Sequence, residues 1–235
     1  MDFYSMLSIH YDDLFPPGAK QQAFLSRYLP RRGRVLDIGA GTGGYAAHMA
    51  ASGASVEALE IGSMYPLLAK KAQERGFAAL EMGMEDIAAL EPEAYGLITC
   101  IGNTLVHLAG QAETAVFLKA CRRLLQPEGV LILQIVNYDR VRLRGVTELP
   151  LITVPEKGLR LRRHYQLEED AVRFRTELES GEQRWCSETR LMALTRLQLC
   201  QLLEEAGFES YQVNGDFSEA PWTPDSPALV VTAVR

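Results

Sequence analysis

The residues most able to do chemistry stand in one glycine-rich run, Val35-Leu36-Asp37-Ile38-Gly39-Ala40-Gly41-Thr42-Gly43-Gly44. The apolar residues at its start predict a short buried strand, and the glycines predict a sharp turn into a helix. Glycine is needed where φ is positive or where the backbone lies against a ligand. The amides at a helix N-terminus suit a polar or anionic group. The run therefore predicts a nucleotide-like cofactor at the carboxyl end of the first strand of an open α/β sheet.

The side chain of Asp37 narrows the choice of cofactor. Gly39, Gly41 and Gly44 fit the dinucleotide pattern GxGxxG, which is a weak signal alone. A carboxylate two places before the first glycine repels a pyrophosphate and suits a ligand with a positive charge. A glycine turn in a generic α/β domain is the alternative, and the density of the run between strand and helix disfavours it.

A second carboxylate, Glu60, ends the second predicted strand, 21 positions after Gly39. An acidic residue at this place accepts both hydroxyls of a ribose. The spacing supports nucleoside binding without choosing between nucleosides. The alternative for Glu60 is a solvated carboxylate at a strand end.

The pattern D-x-G-x-G-x-G, with Asp37 at its head, resembles the first motif of the class I S-adenosylmethionine (SAM)-dependent methyltransferases. In that family the loop holds the methionine part of SAM, which carries an ammonium and a sulfonium. Met84-Glu85-Asp86-Ile87 resembles the family segment M-x-D-L that flanks adenine, and Met84 is the expected adenine contact. Gly83 replaces a common Asp, so Glu85 or Asp86 would supply the acidic contact. A plain surface turn is the alternative.

The segment Gly102-Asn103-Thr104-Leu105-Val106-His107-Leu108 resembles the GNS/T-x-x-HL segment of methyltransferases related to glycine and sarcosine N-methyltransferases. The resemblance implies a position beside the transferred methyl group. There Gly102 allows close backbone approach, and Asn103 bonds substrate or cofactor or caps the following turn. His107 is suited to accept a proton near neutral pH. The alternative for His107 is a packed side chain bonded to a backbone group.

Three further segments extend the resemblance. Residues 125–129 resemble the family's LxPGG turn, with Glu128 in place of a glycine. Asn137-Tyr138-Asp139 follows the next strand, where acceptors lie in the family, and Tyr138 is expected to form a wall of the acceptor site. Residues 11–15 resemble a YDxLF lid segment, in which Tyr11 either closes over SAM or packs within a helix.

The resemblance thus implies two sets of site residues. The expected catalytic residues are His107, Asn103 and Tyr138. The expected cofactor-binding residues are Tyr11, Asp37, Gly39, Ala40, Gly41, Gly43, Glu60, Ile61, Met84, Glu85, Ile101 and Gly102.

The elements that must position these residues alternate strand and helix. Strands are predicted over 34–38, 55–59, 78–82, 97–101, 130–136, 208–213 and 228–233, and helices over 45–52, 64–75, 112–125 and 196–206. Continuous apolar strands indicate a sheet covered on both faces, and the alternation indicates parallel pairing. The predicted fold is α/β, with a Rossmann-like, doubly wound, mostly parallel seven-stranded sheet.

The pattern changes after Asn137. Apolar and polar residues alternate over 159–167, 171–178 and 183–192, which predicts antiparallel strands with one wet face. The predicted organisation is an N-terminal helical lid over 1–32, a SAM-binding core over 33–139, an inserted antiparallel β cap over 140–192 and a C-terminal part over 193–235.

The predicted insertion is rich in arginine. These side chains either form the wet face of a sheet or clamp a carboxylate or phosphate on the acceptor. The basic residues concerned are Arg140, Arg142, Arg144, Arg160, Arg162, Arg163, His164, Arg173 and Arg175.

The amino-acid composition excludes several classes of function. The 235 residues, 47% hydrophobic, suffice for one large core, and a net charge of −6 argues against a general nucleic-acid binder. The four cysteines are scattered with no metal-ligand spacing, which indicates buried free thiols, no metal site and a reducing cytoplasm. The first ten residues lack the pattern of a signal peptide, and no stretch approaches the roughly 20 apolar residues of a membrane span.

We therefore expect a cytoplasmic SAM-dependent methyltransferase. The expected partner is a small-molecule acceptor, methylated by in-line displacement on nitrogen in preference to oxygen or carbon. Two alternatives stay open: an NAD(P)-dependent oxidoreductase that uses the same glycines, and a non-catalytic SAM-binding module.

Overall fold

The computed structural model describes residues 2–235, which form two sheets and the helices around them. The helices are α1 (Phe3–Ile9), α2 (Tyr11–Leu14), α3 (Ala19–Arg27), α4 (Gly44–Ala51), α5 (Tyr65–Arg75), α6 (Gln111–Leu124), α7 (Tyr138–Arg144) and α8 (Arg196–Glu205). The strands are β1 (Arg34–Ile38), β2 (Val56–Glu60), β3 (Ala78–Glu81), β4 (Tyr95–Cys100), β5 (Leu125–Val136), β6 (Ile152–Val154), β7 (Leu159–Leu167), β8 (Ala171–Ser180), β9 (Gln183–Met192), β10 (Ser210–Asn214) and β11 (Ala228–Val234).

The larger sheet confirms the predicted fold class. Its seven strands run in the order β10-β11-β5-β4-β1-β2-β3. The pairs between β5 and β3 are parallel, and β11 is antiparallel to both of its neighbours. Strand order reverses between β1 and β4, and such a switch point opens a crevice at the carboxyl ends of the strands. The loops after β1 and β4 therefore meet at one place.

Helices cover both faces of this sheet because its strands are apolar on both sides. Consecutive residues of a strand point to opposite faces. Val35 packs in a cluster with Phe24 of α3 and Met49 of α4, whereas Leu36 packs in the cluster that contains Phe117 of α6. Burial on both faces fixes the direction of β1, and hence the place where its glycine loop emerges.

The smaller sheet is antiparallel throughout, in the order β6-β7-β8-β9, and we call it the cap sheet. One of its faces packs on the N-terminal helices: Leu161 and Leu178 share a cluster with Phe3 of α1 and Leu14 of α2. The Tyr4 hydroxyl also lies 3.0 Å from Oγ1 of Thr189 in β9. The N-terminal helices are therefore in contact with the cap sheet.

Several local predictions differ from the structure. The N-terminal segment, predicted only as a helical lid, holds the three separate helices α1, α2 and α3. The predicted turn at 126–129 is an irregularity inside β5, where Glu128 adopts a φ of 62°. Helix α7 and strand β6 were not predicted, since each is short and α7 buries only Tyr138 and Val141. No helix within residues 2–235 combines the length and the apolar character needed to cross a membrane.

Candidate active site

A cavity of about 630 Å³ lies where the carboxyl edge of the large sheet meets the N-terminal helices and the cap sheet. This volume lies within the usual range for small-molecule sites. The cavity is lined by eight of the residues predicted from the sequence: Tyr11, Asp37, Gly39, Ala40, Ile101, Gly102, Asn103 and His107.

Asp37 is a buried carboxylate at the cavity wall, with 2% of its surface exposed. The Thr99 hydroxyl of β4 donates a hydrogen bond of 2.6 Å to its Oδ1. Burial raises the pKa of Asp37 to about 6, with a smaller upward contribution from Glu60, and the Thr99 bond acts against that rise. Among residues 2–235 no cationic side chain pairs with it. A cationic ligand group would therefore be stabilised at this point.

Glu60 lies at the end of β2, beside the cavity rather than in its lining. Its Oε2 accepts the N–H of Gly41 at 2.7 Å, and its Oε1 accepts the N–H of Ile61 at 2.9 Å. Burial raises the pKa of Glu60, and these two bonds act against that rise. Each oxygen keeps an unused acceptor site. The carboxylate is thus held in one orientation and can still accept two hydroxyl groups.

The remaining predicted cofactor residues lie outside the cavity lining. Ile61 is 54% exposed, Glu85 is exposed, and Met84 is half-buried against the core. Gly43 has a φ of 83°, and a Cβ built on it would lie 2.6 Å from Leu68 of α5. The structure thus gives Gly43 a packing reason as well, and a direct ligand contact by it stays a prediction.

The ring of Tyr11 covers the glycine loop. A Cβ built on Gly41, whose φ is 59°, would lie 2.9 Å from Cε1 of this ring. Burial and the Glu60 carboxylate raise the pKa of Tyr11 to about 12, so its hydroxyl keeps its proton at neutral pH. Only glycine leaves room for this approach of α2 to the loop after β1.

Three side chains fasten α2 to the core, and we call Asp12, Thr42 and Lys71 the latch. Lys71 Nζ lies 2.7 Å from Oδ2 of Asp12 and 3.2 Å from Oγ1 of Thr42, and the Thr42 hydroxyl donates to Oδ1 of Asp12. On the other side of the same helix, Asp13 pairs with Lys157 at 2.6 Å. Helix α2 is therefore bound both to the core and to the segment that joins β6 and β7.

Asn103 and Tyr138 form one hydrogen-bonded unit. Asn103 has a φ of 70°, which Asn tolerates better than most residues. Its Nδ2 donates to the Tyr138 hydroxyl at 3.1 Å, and its Oδ1 accepts the N–H of Val136 at 2.9 Å. Tyr138 is fully buried and does not line the cavity. The geometry makes Tyr138 a support that positions Asn103, rather than the wall of the acceptor site that the sequence suggested.

His107 faces the cavity from the short helical turn after β4. The surrounding protein lowers the pKa of its imidazole, so the ring is neutral at neutral pH. Its main-chain N–H bonds Thr104, and its side chain is exposed to the cavity. A neutral imidazole in this place is able to accept a proton.

The sequence did not single out several residues of the cavity. One is Gln134 of β5, whose Oε1 accepts a hydrogen bond of 2.8 Å from the N–H of Gly102. Another is Tyr45, whose hydroxyl accepts a hydrogen bond of 3.3 Å from the N–H of Gly18. The cap sheet adds Leu161, Tyr165, Phe174, Thr176 and Thr189. Their common signal is strand alternation, which places them on one face of three adjacent strands.

Most cap arginines point away from the cavity into ion pairs. Arg162 lies 2.7 Å from Glu179, and Arg175 lies 2.8 Å from Glu177. Arg144 of α7 pairs with Asp225 at 2.7 Å. Of the arginines that the sequence offered as a clamp, Arg163 lines the cavity.

The fold and the site by themselves define a class of protein. A doubly wound sheet with a glycine loop after β1, a carboxylate at the end of β2 and a cavity at the switch point is the architecture of a Rossmann-like nucleoside-cofactor enzyme. A family model described as a methyltransferase domain matches residues 18–213. The chain therefore belongs to this methyltransferase family, of the class I SAM-dependent type, and its cofactor is SAM.

Individual relatives differ in how much of their length is matched. The chain is 30% identical to a dTDP-3-amino-3,6-dideoxy-alpha-D-glucopyranose N,N-dimethyltransferase from Streptomyces fradiae over 123 residues, 52% of this chain and 47% of that protein. It is 27% identical to a glycine/sarcosine N-methyltransferase from Halorhodospira halochloris over 218 residues, 88% of this chain and 79% of that protein. The chain thus spans about half of the first relative and most of the second.

A solved structure supports the fold. An S-adenosylmethionine-dependent methyltransferase from Clostridium acetobutylicum superimposes with a TM-score of 0.79 at 17% identity, covering 98% of both chains. Agreement over nearly the whole of both chains extends to the cap sheet as well as the large sheet.

Proposed function

We propose that this protein transfers a methyl group from SAM to a nitrogen atom of a small molecule. The observation that carries the proposal is the lining of one cavity by both Asp37 and His107. Asp37 suits the cationic end of the cofactor, and His107 suits an acceptor that must lose a proton. The names of the two relatives described above refer to N-methylation, which supports nitrogen over oxygen or carbon.

The residues divide between the two ligands. When bound, SAM supplies an electrophilic methyl group on a sulfonium, which an acceptor lone pair takes by in-line displacement. Asp37 binds the ammonium of the cofactor, and Glu60 accepts its ribose hydroxyls. The loop of Gly39, Ala40 and Gly41 lies against its amino-acid part. Ile61, Met84 and Glu85 lie beyond Glu60, where we place the adenine.

The acceptor side rests on the second group of residues. Asn103, held by Tyr138 and Val136, keeps one N–H of its amide for the acceptor. His107 takes a proton from an acceptor amine that arrives protonated, which frees the lone pair. Tyr11 covers the loop and excludes water from the cavity. Alignment of the two ligands then supplies much of the acceleration.

The organisation of the chain follows the same division. We propose that residues 1–32 act as a lid, that residues 33–139 and 193–235 form the cofactor-binding core, and that residues 140–192 form the acceptor cap. The net charge of −6 supports a small molecule rather than a nucleic acid as partner. Cys100, Cys121 and Cys200 are buried free thiols, whereas Cys186 is a free thiol at the surface and not buried as the sequence predicted. Free thiols throughout support a reducing cytoplasm as the location.

The test combines binding with product identification. Calorimetry compares SAM and NAD, and the protein is then incubated with methyl-labelled SAM and a small-metabolite extract, with labelled products identified by mass spectrometry. We expect SAM binding and label on nitrogen. The Asp37→Asn variant is the matched control, because it retains the shape of the side chain but loses its charge.

Each other outcome removes one part of the proposal. Label on oxygen or carbon contradicts the choice of nitrogen. Tight SAM binding without any labelled product supports a non-catalytic SAM-binding module. NAD binding in place of SAM contradicts the proposed reaction altogether.

A further inference from the structure

The two faces of the cap sheet differ in charge. Arg160, Arg162, Arg173 and Arg175 occupy its outer face, where glutamates of the same sheet and its edge pair with them. On the inner face, residues of β7 lie opposite residues of β8 in three pairs: Leu161 with Leu178, Arg163 with Thr176, and Tyr165 with Phe174. Within the described strands, Arg163 is the charged residue on that inner face. Strand alternation therefore sends one guanidinium toward the cavity.

This guanidinium is incompletely satisfied. One terminal nitrogen of Arg163 donates to the Pro150 carbonyl at 2.9 Å. Its Nε is buried and has no hydrogen-bond partner within the described residues. No carboxylate of residues 2–235 lies within ion-pair distance, and burial lowers the pKa of the guanidinium. A buried donor without a partner is costly, and a buried charge without a counter-charge is more so.

A second unsatisfied donor lies beside it. The hydroxyl of Tyr165, two residues further along the same face, is buried and makes no hydrogen bond of good geometry among the described residues, although the nearby Tyr138 hydroxyl opposes the rise that burial causes in its pKa. Its ring packs on Phe174 with centroids 5.2 Å apart, so the side chain is fixed in place. Both Arg163 and Tyr165 line the cavity. Two unpaired donors at one wall predict a ligand group that accepts hydrogen bonds and carries negative charge.

We propose that Arg163 and Tyr165 bind an anionic group, a carboxylate or a phosphate, on the methyl acceptor. This inference rests on the proposed function, whose acceptor it assigns to the class of small amines that carry an acid group. SAM also carries a carboxylate, but the position of Arg163 and Tyr165 favours the anionic group of the acceptor as their ligand. The ring of Tyr165 lies 6.3 Å from the ring of Tyr138, whose hydroxyl bonds Asn103 on the acceptor side.

The test uses the full-length protein saturated with S-adenosylhomocysteine. Calorimetry measures the affinities of three probes: glycine and aminomethylphosphonate, which carry an amine and an anion, and methylamine, which carries the amine alone. Arg163→Met is expected to weaken the two anionic probes about 10- to 100-fold and to leave methylamine unchanged. Tyr165→Phe is expected to weaken them about 3- to 10-fold, since one neutral donor is lost.

The matched control is Arg162→Met on the outer face, which is expected to leave all three affinities unchanged. Thermal unfolding of the free protein gives a readout independent of binding. Arg163→Met is expected to hold or raise the melting temperature, because an unpaired buried charge is removed. A lower melting temperature with unchanged probe affinity assigns Arg163 a structural role and overturns the proposal.

Two further outcomes also overturn it. Equal affinity of the unsubstituted protein for methylamine and for the anionic probes means that the wall does not recognise an anion. A tenfold loss of affinity for S-adenosylhomocysteine in Arg163→Met assigns the guanidinium to the carboxylate of the cofactor. Failure of S-adenosylhomocysteine to bind the unsubstituted protein instead contradicts the proposed function, so the two failures are distinguishable.

Discussion

The two sides of the cavity are built by different means. On the cofactor side, formed by the loops after β1 and β2, the two carboxylates are fixed by hydrogen bonds from the core. Glu60 is held by the amides of Gly41 and Ile61, and Asp37 accepts the hydroxyl of Thr99. On the cap side, the polar groups that face the cavity are side chains of strands, and Arg163 and Tyr165 retain unpaired donors.

This difference shows which side of the cavity is pre-organised for one particular ligand. Carboxylates held in this way are pre-organised for one cofactor, and we expect them to tolerate little substitution. The cap side presents side chains on a regular sheet, so one substitution on the inner face changes the acceptor without disturbing the fold. We therefore expect the cap side chains to determine which acceptor is bound, while the fold of the core stays the same. The comparison predicts that substitutions on the two sides change different measured quantities.

The largest expected effect is that of His107→Gln, which replaces a residue in the turn after β4 that we assign to the acceptor. We expect kcat with the acceptor found by labelling to fall about 100-fold at neutral pH, because a general base is lost, while SAM affinity is unchanged. Raising the pH should restore part of the rate, since the acceptor amine then loses its proton unaided. Steady-state kinetics across pH and calorimetry with SAM check both statements.

A proton NMR titration provides a second measurement on His107. Burial lowers the pKa of His107, so its imidazole signal should titrate below the usual value near 6.5 and should be missing in His107→Gln. The rate of the unsubstituted protein should then fall only below that lowered pKa, where the ring becomes protonated. A kcat unaffected by the substitution would assign His107 to packing.

Asp37→Asn is the matching substitution on the cofactor side. We expect SAM affinity to fall about 10- to 100-fold, because a charge-assisted bond to the ammonium is lost while the shape of the side chain is kept. The affinity of the unsubstituted protein should rise with pH up to about 6, where Asp37 ionises, and should fall above about 8 as the ammonium deprotonates. Calorimetry at several pH values should show that the rise in affinity up to about pH 6 is missing in the variant.

Linkage gives an independent check on Asp37 in the free protein. Its folded pKa of about 6 lies above the value of 3.8 for an unperturbed group, so the folded state holds the proton more tightly. The free energy of unfolding should therefore fall as the pH rises from about 4 to about 6. In Asp37→Asn this part of the pH dependence should be lost. An unaltered pH profile would mean that Asp37 is ionised throughout.

The sequence predicts the local structure of the loops after β1 and β2 well because the relevant information lies close together in the chain. The glycine loop and the end of β2 are short segments whose residue types are dictated by positive φ and by apolar strands. The strand over Arg34–Ile38 has the bounds that the sequence predicted, and α8 begins at Arg196 as predicted. Both features depend on neighbours close in the chain.

The cap side was less predictable because its site depends on pairing between strands. The sequence grouped nine basic residues together. Alternation along β7 puts Arg162 and Arg163 on opposite faces, but only the packing of the cap sheet decides which face meets the cavity. Tyr138 likewise matches the motif of an acceptor-site wall, yet α7 turns it beneath Asn103. Such distinctions come from long-range packing and have no signal within a short window of sequence.

The smallest expected effect comes from helix α2, which is bound to both sides. Asp12→Asn breaks the latch, whose Lys71 and Asp12 side chains are 22% and 54% exposed, and Asp13→Asn breaks the pair with Lys157. Exposed ion pairs contribute about 1 kcal/mol or less, so each variant should change affinity by no more than about fivefold. We expect Asp12→Asn to speed SAM dissociation in stopped flow, whereas Asp13→Asn should raise the acceptor KM and leave SAM dissociation unchanged. Equal effects of the two variants on both ligands would mean that α2 closes the cavity as one rigid unit, and that the two sides are not independent.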